Sequence, residues 1–250
     1  MSTETERSRL TVEELAARAR AEMIPLTSAF SYFSTLPVAE DDLRQYFHDP
    51  IAALPPAVCA GLGKLGLLLV PFLERSNGRR GAGFVEFDEP PEGRRLFWAR
   101  TALDDATVLL FGIRTVEMAD YHYHFYNAVA NVVGDRWRGE SQERYYRLLR
   151  DELGSDVHGE VDERSWHLKQ TLRRQSNARK ESKLFRDYAR QSFEDTLTLY
   201  LHGICCDIDV ETGPRQMASR YLRRRLELLE NLYPPPEGYA VFPEQVNKKK

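Results

Sequence analysis

The residues with the clearest chemical potential lie on a predicted helix at 114–133, with the sequence RTVEMADYHYHFYNAVANVV. Glu117 is followed by Asp120, Tyr121 and His124 after three, four and seven residues, so a helix places all four on one face. Carboxylates and imidazoles bind divalent metals and also transfer protons near neutral pH. The pattern indicates a metal or proton-transfer site. The favoured interpretation is structural, a polar seam of the core in which each group is hydrogen-bonded and uncharged.

A second acid and imidazole, Asp195 and His202, are also seven residues apart on a later predicted helix. Two facing helices could bring both pairs to one ion, although helical di-metal proteins use the closer spacing Glu-x-x-His. Ligand atoms must lie within roughly 2 to 2.6 Å of a metal, so this hypothesis requires His124 and His202 to be close together. It describes a metal-dependent helical-bundle enzyme with ligands Glu117, Asp120, His124, Asp195 and His202.

Basic residues are concentrated in two other segments, 169–190 and 220–225. The planar guanidinium of arginine forms paired hydrogen bonds with carboxylates and phosphates, which is typical of binding surfaces. The predicted binding residues are Arg173, Arg174, Arg179, Lys180, Arg223 and Arg224. An acidic protein is the favoured partner. Nucleic acid is the less favoured partner, because aromatic residues for base stacking are sparse in both segments. The alternative is a solvated face.

Composition places the chain among ordinary globular proteins, with 42% hydrophobic and 29% charged residues. The net charge of -3 favours neither nucleic acid nor anionic lipid, so such binding would depend on local clusters. No G-x-S-x-G motif or other nucleophile signature occurs. No cofactor is predicted, and a divalent metal belongs only to the enzyme alternative. Whether the chain is an enzyme stays open at this point.

The cysteines and the apolar segments predict a cytoplasmic protein. Cys59, Cys205 and Cys206 are too few for a disulfide framework, and the N-terminus lacks the basic and apolar regions of a signal peptide. The apolar run at 51–73 has the length of a membrane span but contains Lys64 and three prolines. We therefore expect a buried element there and no membrane span.

Two further motifs are weaker. Gly61-x-Gly63-x-x-Gly66, with Glu86 and Asp88 about twenty residues later, matches the residue types of a dinucleotide site. Nearby prolines and the short links between later strands argue against that fold, so glycines that allow close helix packing are the favoured interpretation.

An acidic segment follows the second predicted metal pair. Asp207, Asp209 and Glu211 would face one side of an extended strand and could bind a hard cation. The sequence matches no calcium-loop motif, and a solvated acidic edge strand is the favoured alternative.

Local patterns then define the elements. Thr11 begins a T-V-E-E capping box and a helix at about 12–23, and a shorter helical piece covers 39–47. Strands are predicted at 84–87, 96–102 and 107–113. Their short connections favour an antiparallel meander, because a parallel crossover needs a dozen residues or more.

Helices follow to the end of the ordered chain, at 114–133, 141–153, 161–202 and 217–232, with Ser141 as a cap. The third has a break at 173–183, where large apolar residues are absent, and this is a candidate hinge. The predicted fold is mainly α, a bundle-like domain with an inserted three-stranded meander at about 84–113. Its sections are a disordered 1–10, a helical 11–75, the meander 84–113, a helical 114–232 and a Pro-rich, Lys-ended tail 233–250, all in one domain.

Overall fold

The structure is a computed structural model that describes residues 9–76, 83–175, 178–206 and 217–242. The chain forms two units. We call Met1–Asp49 with Leu62–Ala128 the sheet unit, and Pro50–Gly61 with Val129–Lys250 the helical unit.

The sheet unit contains two sheets. Its strands are β1 (Leu10–Thr11), β2 (Ile24–Pro25), β3 (Phe30–Ser34), β4 (Lys64–Val70), β5 (Phe72–Arg75), β6 (Gly83–Glu86), β7 (Arg95–Leu96), β8 (Trp98–Leu103) and β9 (Ala106–Gly112). One sheet has the order β1-β6-β5-β7 and the other the order β2-β3-β4-β9-β8. Strand β4 is parallel to β3 and to β9, whereas the other pairs are antiparallel.

Strand β4 forms the centre of the five-stranded sheet and comes from the apolar run. Residues 67–70 are fully buried, which suits a strand covered on both faces and explains the continuous apolar sequence. One cluster joins Leu68 and Val70 to helix α1 (Val12–Ala19). On the neighbouring strand β9, Phe111 contacts Tyr121 edge-on.

Helix α1 begins at the predicted capping box, which is confirmed. The Thr11 hydroxyl accepts a hydrogen bond from the Glu14 amide, and the Glu14 carboxylate accepts one from the Thr11 amide. These bonds to Thr11 hold the pKa of Glu14 below its usual value. The predicted helical piece at 39–47 contains α2 (Glu40–Leu43) and the start of a π-helical turn at Arg44–His48.

The predicted fold class, mainly α with a three-stranded meander, is wrong, and so is the description as an all-α helical bundle. The chain has an α/β fold with two sheets. Strands β8 and β9 form the expected antiparallel hairpin, but β6 pairs with β5 and β1 in the other sheet. Connection length excluded a crossover between β8 and β9. The length of a connection does not indicate which strands elsewhere in the chain pair with β6.

The glycine motif lies in the reverse order for a dinucleotide site. Helix α4 (Pro56–Leu62) precedes Gly63, which has a φ of 67°, and β4 follows. A dinucleotide fold places a strand before the glycines and a helix after them. Gly66 instead makes room for Met23, because a Cβ there would lie 2.6 Å from the Met23 Cε.

The helical unit contains the later helices at nearly the predicted positions. Its elements include α3 (Asp49–Ala52, from Pro50 onward), α4, the end of α5 (Met118–Arg136), α6 (Glu140–Gly154), α7 (Glu163–Arg173), α8 (Lys183–Cys205) and α9 (Ser219–Leu232). The predicted break lies between α7 and α8. The predicted Ser141 cap is wrong: α6 begins at Glu140 after Gly139, whose φ is 69°. Aromatic side chains pack the core, where Trp137 stacks on Phe193 with ring centroids 4.0 Å apart.

The apolar run at 51–73 is divided among short helices and strands β4 and β5. Within the described ranges, no helix has both the length and the hydropathy needed to cross a bilayer.

Candidate functional site

One face of α6 carries two arginines and a carboxylate. Arg144, Arg147, Asp151 and Gly154 are three or four residues apart, so they share that face. Arg147 is exposed, and Arg144 is half-buried. Helix α6 forms because its opposite face buries Leu149 and neighbouring aromatic side chains in the core.

Arginines from distant parts of the chain lie against the same face. Arg224 of α9 forms an ion pair with Asp151, with 3.3 Å between Nη2 and Oδ2. The guanidinium of Arg179 lies over Gly154, since a Cβ there would be 3.1 Å from its Nη1. The fold thus brings together positions of α6, α9 and the α7–α8 connection.

Arg173 extends this surface past the end of α6, where it binds Asp156 and lies 3.2 Å from the His158 Nδ1. We define the arginine strip as Arg144, Arg147, Arg173, Arg179 and Arg224. Three more predicted binding residues, Arg174, Lys180 and Arg223, are exposed next to its members in sequence. Four carboxylates form ion pairs with these arginines: Glu140, Asp151, Asp156 and Glu227.

A groove of about 300 Å³ between α6 and α9 lies within the strip. Three arginines and two carboxylates line it together with Asn231 and two leucines, Leu148 and Leu228; the charged residues are Arg144, Arg147, Arg224, Asp151 and Glu227. The groove therefore combines cationic hydrogen-bond donors with an apolar floor, which suits an anionic segment that also carries an apolar side chain.

Arg225 does not belong to this surface, although it follows Arg223 and Arg224. Its side chain is fully buried and binds Glu152 and Glu160, with closest distances of 2.5 and 2.7 Å. This buried role of Arg225 was not predicted from the sequence. Helical periodicity indicates it, because Arg225 lies three residues after Leu222 and four before Leu229, on the buried face of α9.

The buried ion network continues from Arg225 to Lys169, which lies 3.0 Å from Glu160. Burial opposes ionisation of Glu160, but the charges of Arg225 and Lys169 and a hydrogen bond from Tyr188 outweigh it and lower its pKa to about 2. Its buried charges connect α6, α7 and α9, and the hydroxyls of Tyr188 and Ser192 on α8 donate hydrogen bonds to Glu160. Its role in the helical unit is structural.

The predicted ligands of the sheet unit do not converge. Glu117 and Asp120 are exposed, whereas the His124 ring stacks on Phe97 with centroids 4.2 Å apart. Burial lowers the pKa of His124, although the charge of Asp120 opposes this effect. The lowered pKa favours a neutral ring. Tyr121 is buried and donates a hydrogen bond to the Tyr46 carbonyl, 2.9 Å away.

In the helical unit, Asp195 and His202 are both buried on α8. Burial raises the pKa of Asp195 to about 7, although a hydrogen bond from Gln191 acts to lower it. Among the residues that the structure describes, none of the five predicted ligands belongs to a group of three His, Cys, Asp or Glu side chains spaced to share an ion. The metal site stays a prediction. The acidic segment 207–211 lies outside the described residues.

A larger polar groove, of about 920 Å³, lies between α7 and α8. Among the side chains that line it is Glu194, which accepts hydrogen bonds from Arg190 at 2.7 Å and from Asn131 at 3.2 Å. Burial raises the pKa of Glu194, although Arg190 and Asn131 oppose this effect. No sequence motif indicated this groove, because its residues come from separate helices.

We expect Gly134→Ala to destabilise the helical unit by about 1–3 kcal/mol. A Cβ at Gly134 would lie 2.3 Å from the Glu194 Oε1 and 2.8 Å from its Cγ, so the carboxylate would have to leave Arg190 and Asn131. Urea unfolding measures the change. The matched control is Gly61→Ala, also helical, where a Cβ meets nothing within 4 Å. Equal stability of the two variants would contradict the described position of Glu194.

The chain matches no protein-family model, no curated protein and no solved structure. The arginine strip includes three of the six predicted binding residues, Arg173, Arg179 and Arg224.

Proposed function

We propose that this protein is a cytoplasmic interaction protein that binds an acidic segment of another protein through the arginine strip. The observation that carries the proposal is the meeting of arginines from α6, α9 and the α7–α8 connection along one face of α6. None of the three cysteines, all of which the structure describes, forms a disulfide, and this suits a reducing compartment.

The internal ion pairs of the strip are compatible with binding. Arg224 and Asp151 are both about half exposed, and exposed pairs contribute only about 0–1 kcal/mol to stability. Such a pair can open at small cost. A partner that carries several carboxylates can then form paired, charge-assisted hydrogen bonds with several arginines at once.

A protein segment suits the groove better than nucleic acid. Leu148 and Leu228 provide a place for an apolar side chain between the arginines. No aromatic side chain lines the groove among the described residues, so it lacks the stacking surface with which proteins hold single strands.

The proposal predicts the behaviour of a triple variant, Arg144→Gln, Arg147→Gln and Arg224→Gln. A fluorescein-labelled peptide of alternating glutamate and leucine should bind the parent, and the affinity should fall with added salt. The variant should bind at least about tenfold more weakly, because roughly 1.4 kcal/mol of lost charge-assisted bonding corresponds to that factor. Fluorescence anisotropy measures both affinities.

The control removes three exposed arginines of the sheet unit by Arg18→Gln, Arg20→Gln and Arg44→Gln. It changes the net charge equally and should bind the peptide as the parent does. All three proteins should melt at similar temperatures. Equal affinity of the two triple variants would contradict the proposal, as would a parent that prefers a single-stranded oligonucleotide of the same charge.

A further inference from the structure

An acidic loop in the sheet unit presents an exposed aromatic side chain. The loop is residues 86–92, EFDEPPE, which follows directly from β6. Phe87 is 62% exposed, the largest value among the exposed large hydrophobic residues described. Asp88, Glu89 and Glu92 are exposed around it. A large apolar side chain among carboxylates is unfavourable in water and suits a contact surface.

The backbone of this loop is held in place. Arg114 donates to the Phe87 carbonyl at 3.2 Å, and the Arg94 amide donates to the Pro91 carbonyl at 3.0 Å. Pro90 is buried. Because the loop is already fixed, binding through it requires little further ordering of the chain.

We propose that the arginine strip of one molecule binds the acidic loop of a second copy of this chain. This inference rests on the proposed function, because it names the partner of the same site. The loop supplies carboxylates for the arginines and one aromatic ring for the apolar floor formed by Leu148 and Leu228. Phenylalanine is an effective anchor because its ring is large and apolar, and 62% of the Phe87 surface is still exposed and can be buried by a partner.

The charges of the two units favour this arrangement. The sheet unit has more acidic than basic residues, and the helical unit has more basic than acidic residues. Two copies are thus attracted with the sheet unit of one facing the helical unit of the other. Each copy has one strip and one loop, so strip-to-loop contacts can join copies in a reciprocal two-fold dimer, a ring or an open chain.

Two variants with complementary defects test the inference. The loop variant is Phe87→Ser, Asp88→Asn and Glu89→Gln, and the strip variant is Arg144→Gln, Arg147→Gln and Arg224→Gln. In sedimentation velocity, the parent should form larger species as its concentration rises, and salt should reverse this. Each variant alone should be monomeric. Their mixture should form a heterodimer and nothing larger, because one intact strip and one intact loop remain.

The control variant is Ile24→Ser, Asp41→Asn and Asp42→Asn, which removes an exposed apolar residue and two exposed acids elsewhere in the sheet unit. It should associate like the parent. Circular dichroism should show that every variant is folded. A parent that stays monomeric at all concentrations, or a mixture without heterodimer, overturns the inference. If the strip still binds the glutamate–leucine peptide in that case, the proposed function stands. If peptide binding is absent as well, both fail.

Discussion

Replacing Arg225 with methionine is expected to lower the free energy of unfolding of the helical unit by about 3–5 kcal/mol. Arg225, Glu152, Glu160 and Lys169 form a fully buried network with balanced charges. Methionine has a similar length but no charge, so two buried carboxylates, Glu152 and Glu160, would remain in this network with one buried cation, Lys169. An uncompensated buried carboxylate is among the most destabilising single changes in a protein.

Urea unfolding followed by circular dichroism measures this loss. The matched control is Arg224→Gln, next in the chain but exposed, for which we expect a change within about 0.5 kcal/mol. The double variant Arg225→Met, Glu152→Leu restores the charge balance and should recover much of the stability. If Arg225→Met were as stable as Arg224→Gln, the buried network would have no energetic importance.

Acid should affect the parent and the Arg225→Met variant in opposite ways. The pKa of Glu160 in the folded parent is about 2, below the usual 4.5, so its stabilising effect is present above pH 4.5 and is lost as the pH falls toward 2. Without Arg225, the charge that chiefly opposes burial is lost, so burial raises the pKa of Glu160 in the folded state. Lower pH then stabilises the variant, and the difference between the two proteins should narrow between about pH 7 and pH 4.

Replacing Asp195 with asparagine should stabilise the protein at pH 8 by roughly 2–4 kcal/mol. Burial raises the pKa of Asp195 from 3.8 to about 7 in the folded state. A raised pKa means that the protonated form stabilises the fold below pH 3.8, and that this stability is lost as the pH rises to about 7. Asparagine stays neutral and keeps an oxygen for the hydrogen bond from Gln191.

Parallel urea titrations at pH 4 and pH 8 test this expectation. The variant and the parent should be nearly equally stable at pH 4, and the variant should be the more stable at pH 8. Asp187→Asn is the control, since Asp187 lies two turns earlier on α8 but is exposed, and it should change stability little at either pH. A constant difference between the Asp195 variant and the parent would mean that Asp195 does not titrate in this range.

The features that sequence predicted well depend on neighbours a few residues apart. The capping box at Thr11 requires only Glu14, and the β8–β9 hairpin requires only two strands joined at Asp104, whose φ is 52°. Helical periodicity alone places Leu222, Leu226 and Leu229 of α9 on one face, and all three are buried.

Features that depend on distant segments were not predictable. The local pattern of β6 marks a strand but does not identify its partners, which lie at 10–11 and 72–75. The parallel pairing of β4 with β3 and β9 was not predicted for the same reason. Together, the missed partners of β6 and of β4 led to the wrong fold class. A strand has hydrogen-bonding groups on two edges, and only the folded chain determines which segments meet them.

The arginine-rich segment of α9 combines one feature that the sequence predicts with one that only the tertiary structure determines. Its sequence has three consecutive arginines, and successive residues on a helix point about 100° apart, so the three side chains point in different directions. Periodicity places Arg225 on the buried stripe. The tertiary structure alone supplies the reason that a charge is stable there, because Glu152 and Glu160 are distant in sequence and meet Arg225 only when α6 and the following loop pack against α9. The same packing brings Asp151 to Arg224, and thereby determines which arginine stabilises the core and which lies on the proposed binding surface.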